Sequence, residues 1–166
     1  MTSDVSDTIL LLAQSVSILS LAAWLTLGLR DNLLYPSLNG SITAEVMAMT
    51  RMEREFPAEF QQVAHRAIRN EKTQKLAFRF VLLAELATVI LLWLGTTALV
   101  LSLFGAASPE TARTLALPGA LAFTAIWAGF LVVGNHFCYW YCHDGAQNTH
   151  YQMTLWGLGT MILLAL

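Results

Sequence analysis

The chain has 166 residues, 56% of them hydrophobic and 12% charged, with a mean hydropathy of +0.57 and a formal net charge of -2. That balance excludes an ordinary soluble fold, whose surface needs about twice the share of charged side chains. It also excludes a nucleic-acid partner, since the basic residues are interleaved with Asp31, Glu45, Glu53, Glu55, Glu59 and Glu71 instead of forming a patch.

Eight of the nine Lys and Arg residues lie between Arg30 and Arg79, and the runs on either side are nearly free of charge. The pattern predicts an all-α membrane protein: a four-transmembrane-helix bundle spanning residues 1–166 as one domain. Its transmembrane spans fall near 8–29, 80–104, 116–141 and 149–166, each close to the ~20 residues that cross ~30 Å of hydrocarbon. A cytoplasmic amphipathic helical segment, 30–79, joins the first two. Basic loops stay on the cytoplasmic side, so both termini are expected in the periplasm and the chain in a bacterial inner membrane. At the start of the chain Asp4 and Asp7 stand where a signal peptide would carry Lys or Arg, so the first helix is expected to be retained.

Within 30–79, Tyr35-Pro36-Ser37-Leu38-Asn39-Gly40 reads as a turn-rich linker, because Pro fixes one dihedral and Asn-Gly tolerates positive φ. A helix is then expected from about Ile42 to Glu55, exposing Met47, Met49 and Met52. A second begins at Pro57, with Phe60, Val63, Ala64, Ala67 and Ile68 along one apolar face.

The second span carries Glu85. A carboxylate there costs about 2.5 to 3.5 kcal/mol on insertion scales and must face protein or water. Thr88, Leu92 and Thr96 follow at helical spacing and extend an interior stripe. In the third span Ala122, Ala125 and Gly129 form a small-residue face suited to close helix packing, and His136 shares that face. Asn135 and His136 are therefore expected in the polar interior with Glu85 and Thr88. Glu85 and His136 each lie about five residues from the cytoplasmic ends of their spans, roughly 8 Å at ~1.5 Å per residue, a common depth at which they could meet. The pair reads either as a structural bond or as a proton site.

His136, His143 and His150 recur every seven residues, which raises metal or haem ligation. The hairpin at Cys142–Asn148 should break their common face, and on one helix Cys138 and Cys142 would point away from His136 and His143, so no tetrahedral site closes. The two cysteines read as free thiols. Phe137, Tyr139, Trp140, Tyr141, Tyr151 and Trp156 match an interfacial aromatic belt. The sharper alternative is a quinone or haem pocket using His136, Trp140 and His150. No cofactor is required by the spacing.

Phe56-Pro57, Arg66-Ala67-Ile68, Glu85 in the second span, and Trp140 followed by Gly145-Ala146-Gln147-Asn148 in the last hairpin resemble the bacterial family of uncharacterised predicted small integral membrane proteins. The resemblance covers nearly the whole chain. It implies a four-helix inner-membrane fold and carries over no catalytic residue. With no nucleotide loop or nucleophile triad, the sequence points away from an enzyme and toward an accessory or structural subunit, whose partners are the lipid bilayer and other integral membrane subunits. The alternatives are the redox protein just described and a small proton-coupled transporter centred on Glu85. The lack of internal repeats disfavours the transporter.

Overall fold

The computed structural model describes residues 2–166, with side chains from Val5 onward. Seven α-helices are present among them: α1 (Thr2–Leu34), α2 (Pro36–Ala48), α3 (Thr50–Glu55), α4 (Pro57–Val63), α5 (Glu71–Leu103), α6 (Pro109–His136) and α7 (Asp144–Leu164). Short 3-10 turns at Ala64–Arg66 and Tyr139–Tyr141 complete the order. The chain is an all-α membrane protein. Three helices, Val5–Leu34, Glu71–Leu103 and Pro109–His136, are long and apolar enough to cross a bilayer. The expected fourth span, α7, has 21 residues. Its first half carries Asp144, Gln147, Asn148 and His150, which dilutes its apolar character.

α1, α5, α6 and α7 pack side by side, each antiparallel to the helix before it. The register is fixed by a few pairs: Asn32 with Glu85 and Thr26 with Trp93 between α1 and α5, and Gln14 with Leu163 and Ser17 with Thr160 between α1 and α7. Ile18, Leu21, Ala22, Leu25, Leu92, Leu99, Ala116, Ala120 and Phe123 fill the middle and are all but inaccessible.

α5 and α6 approach each other backbone to backbone. A Cβ added to Gly95 would lie 2.5 Å from the Ala116 Cα, and one added to Gly119 would lie 2.9 Å from the Leu92 nitrogen. Only glycine lets the two backbones come so near. The inward stripe of α6 is therefore Ala112, Ala116, Gly119, Ala120, Phe123 and Trp127. This corrects the expected stripe: Ala125 is exposed, Ala122 and Gly129 are half-buried, and a Cβ on Gly129 would meet nothing within 4 Å. The sequence holds two small-residue faces on one helix, and the one bearing Gly119 matches the glycine on α5.

Several boundaries also differ from expectation. α5 begins at Glu71, nine residues before the apolar window, because the Asn70 side chain accepts from the Thr73 amide and Lys75 pairs with Glu71 at 3.0 Å. Tyr35–Gly40 is no linker. Pro36 opens α2 at its first position, and Gly40 lies inside the helix, where even a Cβ would be only 3.5 Å from the Phe78 ring. α2 stops at Met49, whose φ of 54° is left-handed. The helix from Pro57 ends at Val63 instead of reaching Ile68, because Ala67 is extended and the Ile68 amide donates to the Met47 carbonyl at 2.7 Å.

The methionines of this segment are not exposed. Met47, Met49 and Met52 form a second core with Phe60, Phe137, Cys138 and Cys142. α2–α4 thus fold back as a cap over the turn joining α6 to α7. Methionine suits this role because its flexible thioether fills irregular gaps between short elements.

The packing gives a test. Gly119→Leu should cost more than about 3 kcal/mol by forcing α5 and α6 apart, while Gly129→Leu should change stability by less than about 0.5 kcal/mol. Thermal aggregation of the detergent-solubilised variants measures both. Equal midpoints for the two would show that the inward face has been misassigned.

Candidate functional site

The polar groups gather at the two ends of the bundle. At the end carrying the cap, Glu85 is 4% exposed, and its Oε2 accepts from the Asn32 amide at 3.0 Å. The Asn39 amide donates in turn to the Asn32 Oδ1 at 2.6 Å. Asn32 lies two residues after Arg30, where the apolar run of α1 ends, and Asn39 belongs to α2. The carboxylate therefore sits near the edge of the apolar belt, and a chain of amides connects it to the exposed surface at Asn39. The Asn32 amide donates to Glu85 with its nitrogen and accepts from Asn39 with its oxygen, which fixes its orientation. The three side chains join α1, α2 and α5. Thr88, one turn deeper, is buried and donates to the Ala84 carbonyl of its own helix at 2.8 Å.

Glu85 and His136 do not meet. Asn135 and His136 are exposed at the end of α6. The backbone carbonyl of His136 accepts from Arg66 at 3.3 Å, and its ring lies edge-on to Phe137. The depth estimate failed because α6 ends at residue 136, so His136 stands at the helix terminus and not five residues inside it.

His136, Trp140 and His150 are likewise not brought together. Trp140 is exposed and stacks on Tyr141 with ring centroids 4.3 Å apart. His150 is half-buried among Trp127, Phe130 and Tyr139, with centroid distances of 5.5, 4.9 and 6.0 Å. Tyr139 and Phe137 are buried, so these two leave the expected interfacial belt. Gly134 makes room for Tyr139, whose ring lies 2.8 Å from where a Cβ would stand. Among the described residues Trp127 Nε1, Tyr139 Oη and His150 Nδ1 have no hydrogen-bond partner, a concentration of unpaired polar atoms in one aromatic nest.

Outside the spans, His143 meets Glu45 of α2 at 3.6 Å. Burial lowers the His143 pKa, with Glu45 acting in the opposite direction, and burial raises that of the neighbouring Cys142 thiol. Cys138 and Cys142 are both free.

At the opposite end, Gln14 is fully buried. Its amide donates to the Leu163 carbonyl at 2.8 Å, and its oxygen accepts from Arg113 at 2.9 Å. Ser17 and Thr160 share a 2.7 Å bond beside it. The sequence reading passed over Gln14 and Asn32. Both are uncharged, so a search for charge-free windows registers neither, although an amide inside an apolar run was the available signal. The two polar ends are separated by the packed layer of Ile18, Leu21, Leu25, Leu92, Leu99 and Phe123.

Asn32→Leu should destabilise the chain by about 1.5 to 3 kcal/mol, since it strands a buried carboxylate, whereas Glu85→Gln keeps an acceptor for Asn32 and should cost less than about 1 kcal/mol. Thermal aggregation midpoints compare them directly. A variant order opposite to this one would mean that the Asn32–Glu85 bond does not hold α1 to α5.

A family model described as "Predicted small integral membrane protein (DUF2165)" matches residues 10–166. No curated protein matches the chain, and no solved structure does.

Proposed function

From the premise that this chain belongs to the DUF2165 family of predicted small integral membrane proteins, we propose that it is a non-enzymatic accessory subunit of a bacterial inner-membrane complex. One observation carries this reading: the second small-residue face of α6 is only partly covered within the chain. Ala125 is exposed, Gly129 has open space where a side chain would be, and the exposed His136 lies on the same face at i+7 from Gly129. Small side chains on a membrane helix allow another helix to approach closely, and the exposed imidazole at the end of the same face offers that helix a hydrogen bond.

The packed apolar layer between the polar ends favours a structural part over a proton-coupled transporter, because Thr88, Thr96 and Thr124, the polar side chains within it, donate to carbonyls of their own helices and not to one another. For the redox alternative, the separate surroundings of His136, Trp140 and His150 supply no common ligand set. In the subunit reading Glu85 is a structural group that locks the cap to the bundle.

Copurification tests the proposal. Ala125→Leu with Gly129→Leu should leave the isolated chain as stable as the wild type and abolish recovery of a stoichiometric membrane partner after gentle solubilisation. A wild-type chain that runs alone would refute the subunit reading.

The membrane orientation that accompanies this proposal puts the cap, with eight basic residues between Arg30 and Arg79, in the cytoplasm and both termini in the periplasm. Alkaline phosphatase fused after Leu166 should be active, and a fluorescent protein fused at the same place should be dark. The reverse pattern would overturn the orientation.

A further inference from the structure

A groove of about 540 Å³ runs between α2 and the first turns of α5. Its floor is apolar: Phe78 lies against Gly40 of α2, and Leu82 closes the end nearest the bundle. Lys75, Arg79 and the carboxylate of Glu71 line the same groove and are exposed, a net charge of one positive. Lys75 is shared with Glu71 at 3.0 Å, while Arg79 makes no ion pair among the described residues. Gln74 closes the other end by donating to the Ile68 carbonyl at 2.7 Å and to the Ala44 carbonyl at 3.4 Å.

The order of side chains along this face of α5 is what identifies an occupant. Lys75 and Arg79 recur at i and i+4, and Phe78, Leu82 and the exposed Leu86 recur at the same interval toward the middle of the bundle. Charge gives way to apolar surface in the direction that enters the membrane. Glu85 and Asn32, one turn beyond Leu82, mark where the apolar run of α1 ends, so the groove opens at headgroup level. We propose that this groove is a binding site for one anionic phospholipid, with its phosphate at Arg79 and Lys75 and its acyl chains against Leu82 and Leu86. A guanidinium matches phosphate oxygens with paired donors, and basic pockets flanking membrane helices select anionic headgroups by charge. A soluble phosphate would use the two basic side chains but leave the groove's Phe78 and Leu82, and the exposed Leu86 beyond them, without a role. The site is independent of the subunit proposal, since α6 contributes nothing to it.

The experiment uses the full chain in a neutral detergent, with dioctanoyl phosphatidylglycerol, dioctanoyl phosphatidylcholine and glycerol phosphate as separate probes. Phosphatidylglycerol should raise the Tm by about 3 °C or more at saturating concentration, with no comparable shift from the other two. Lys75→Gln with Arg79→Gln should remove the shift while leaving the lipid-free Tm within about 2 °C of the wild type, as expected of exposed side chains. Native mass spectrometry of the wild type should retain one anionic lipid, a readout that does not depend on the variant's folding. Equal shifts from phosphatidylcholine, or a full shift in the double variant, would overturn the proposal. A shift from glycerol phosphate as large as that from the lipid would replace the lipid by a soluble phosphate compound and overturn it as well.

Discussion

The distance between α5 and α6 governs the rest of the bundle. Gly95 lies on Ala116 and Gly119 lies on Leu92, so the two backbones touch at places where any other residue would hold them apart. In hydrocarbon there is little hydrophobic gain in bringing apolar helices together, and the attraction comes from dispersion between closely fitted surfaces. Two glycines facing small or backbone atoms maximise that contact. Once α6 is turned so that Gly119 faces α5, Phe123 and Trp127 must point into the bundle, and Ala125 and Gly129 must point out of it. The open face that suggests a partner is thus a consequence of the closed one.

The polar side chains obey the same economy of space. The middle of the bundle is filled by aliphatic side chains and Phe123, and its threonines, Thr88, Thr96 and Thr124, satisfy themselves on the carbonyl one turn back in their own helices. Longer polar side chains are confined to the ends, where Asn32 holds Glu85 and Gln14 holds Arg113. Each end is closed by an amide, which donates with one atom and accepts with the other and so serves two neighbours at once. These amide bonds set the register of α1 against α5, α6 and α7, a task that apolar packing, being non-directional, performs poorly.

The cap illustrates how local signals yield to tertiary ones. Pro36 and Pro57 start helices as their fixed φ favours, and Glu53 reaches across to Arg69 at 2.8 Å. The methionines between them, which look like an exposed surface on a helical wheel, become the core that fastens α2–α4 to Phe137 and the two cysteines. The left-handed residue at Met49 bends the chain so that Met47 and Met52, on successive helices, face the same cluster. Nothing in the spacing of the methionines shows that bend.

The sequence alone determined that the chain is helical and membrane-embedded, because a long apolar run without charge has few other ways to satisfy its backbone. It read the charge-free runs as helices that cross the bilayer, and it singled out Glu85 as a group expected to face protein or water, since the cost of a carboxylate in hydrocarbon is a property of the residue and not of its neighbours. It left open which face of each helix is inside. The choice between the Gly119 face and the Gly129 face of α6 is made by what stands opposite, and the residue opposite Gly119 is Leu92, 27 positions away on α5. The partner of Glu85 was open for the same reason: Asn32 is 53 positions away and becomes its neighbour only when α1 and α5 lie antiparallel. Periodicity and composition are local quantities. Pairing between helices depends on rotation and register, which only the packed bundle decides.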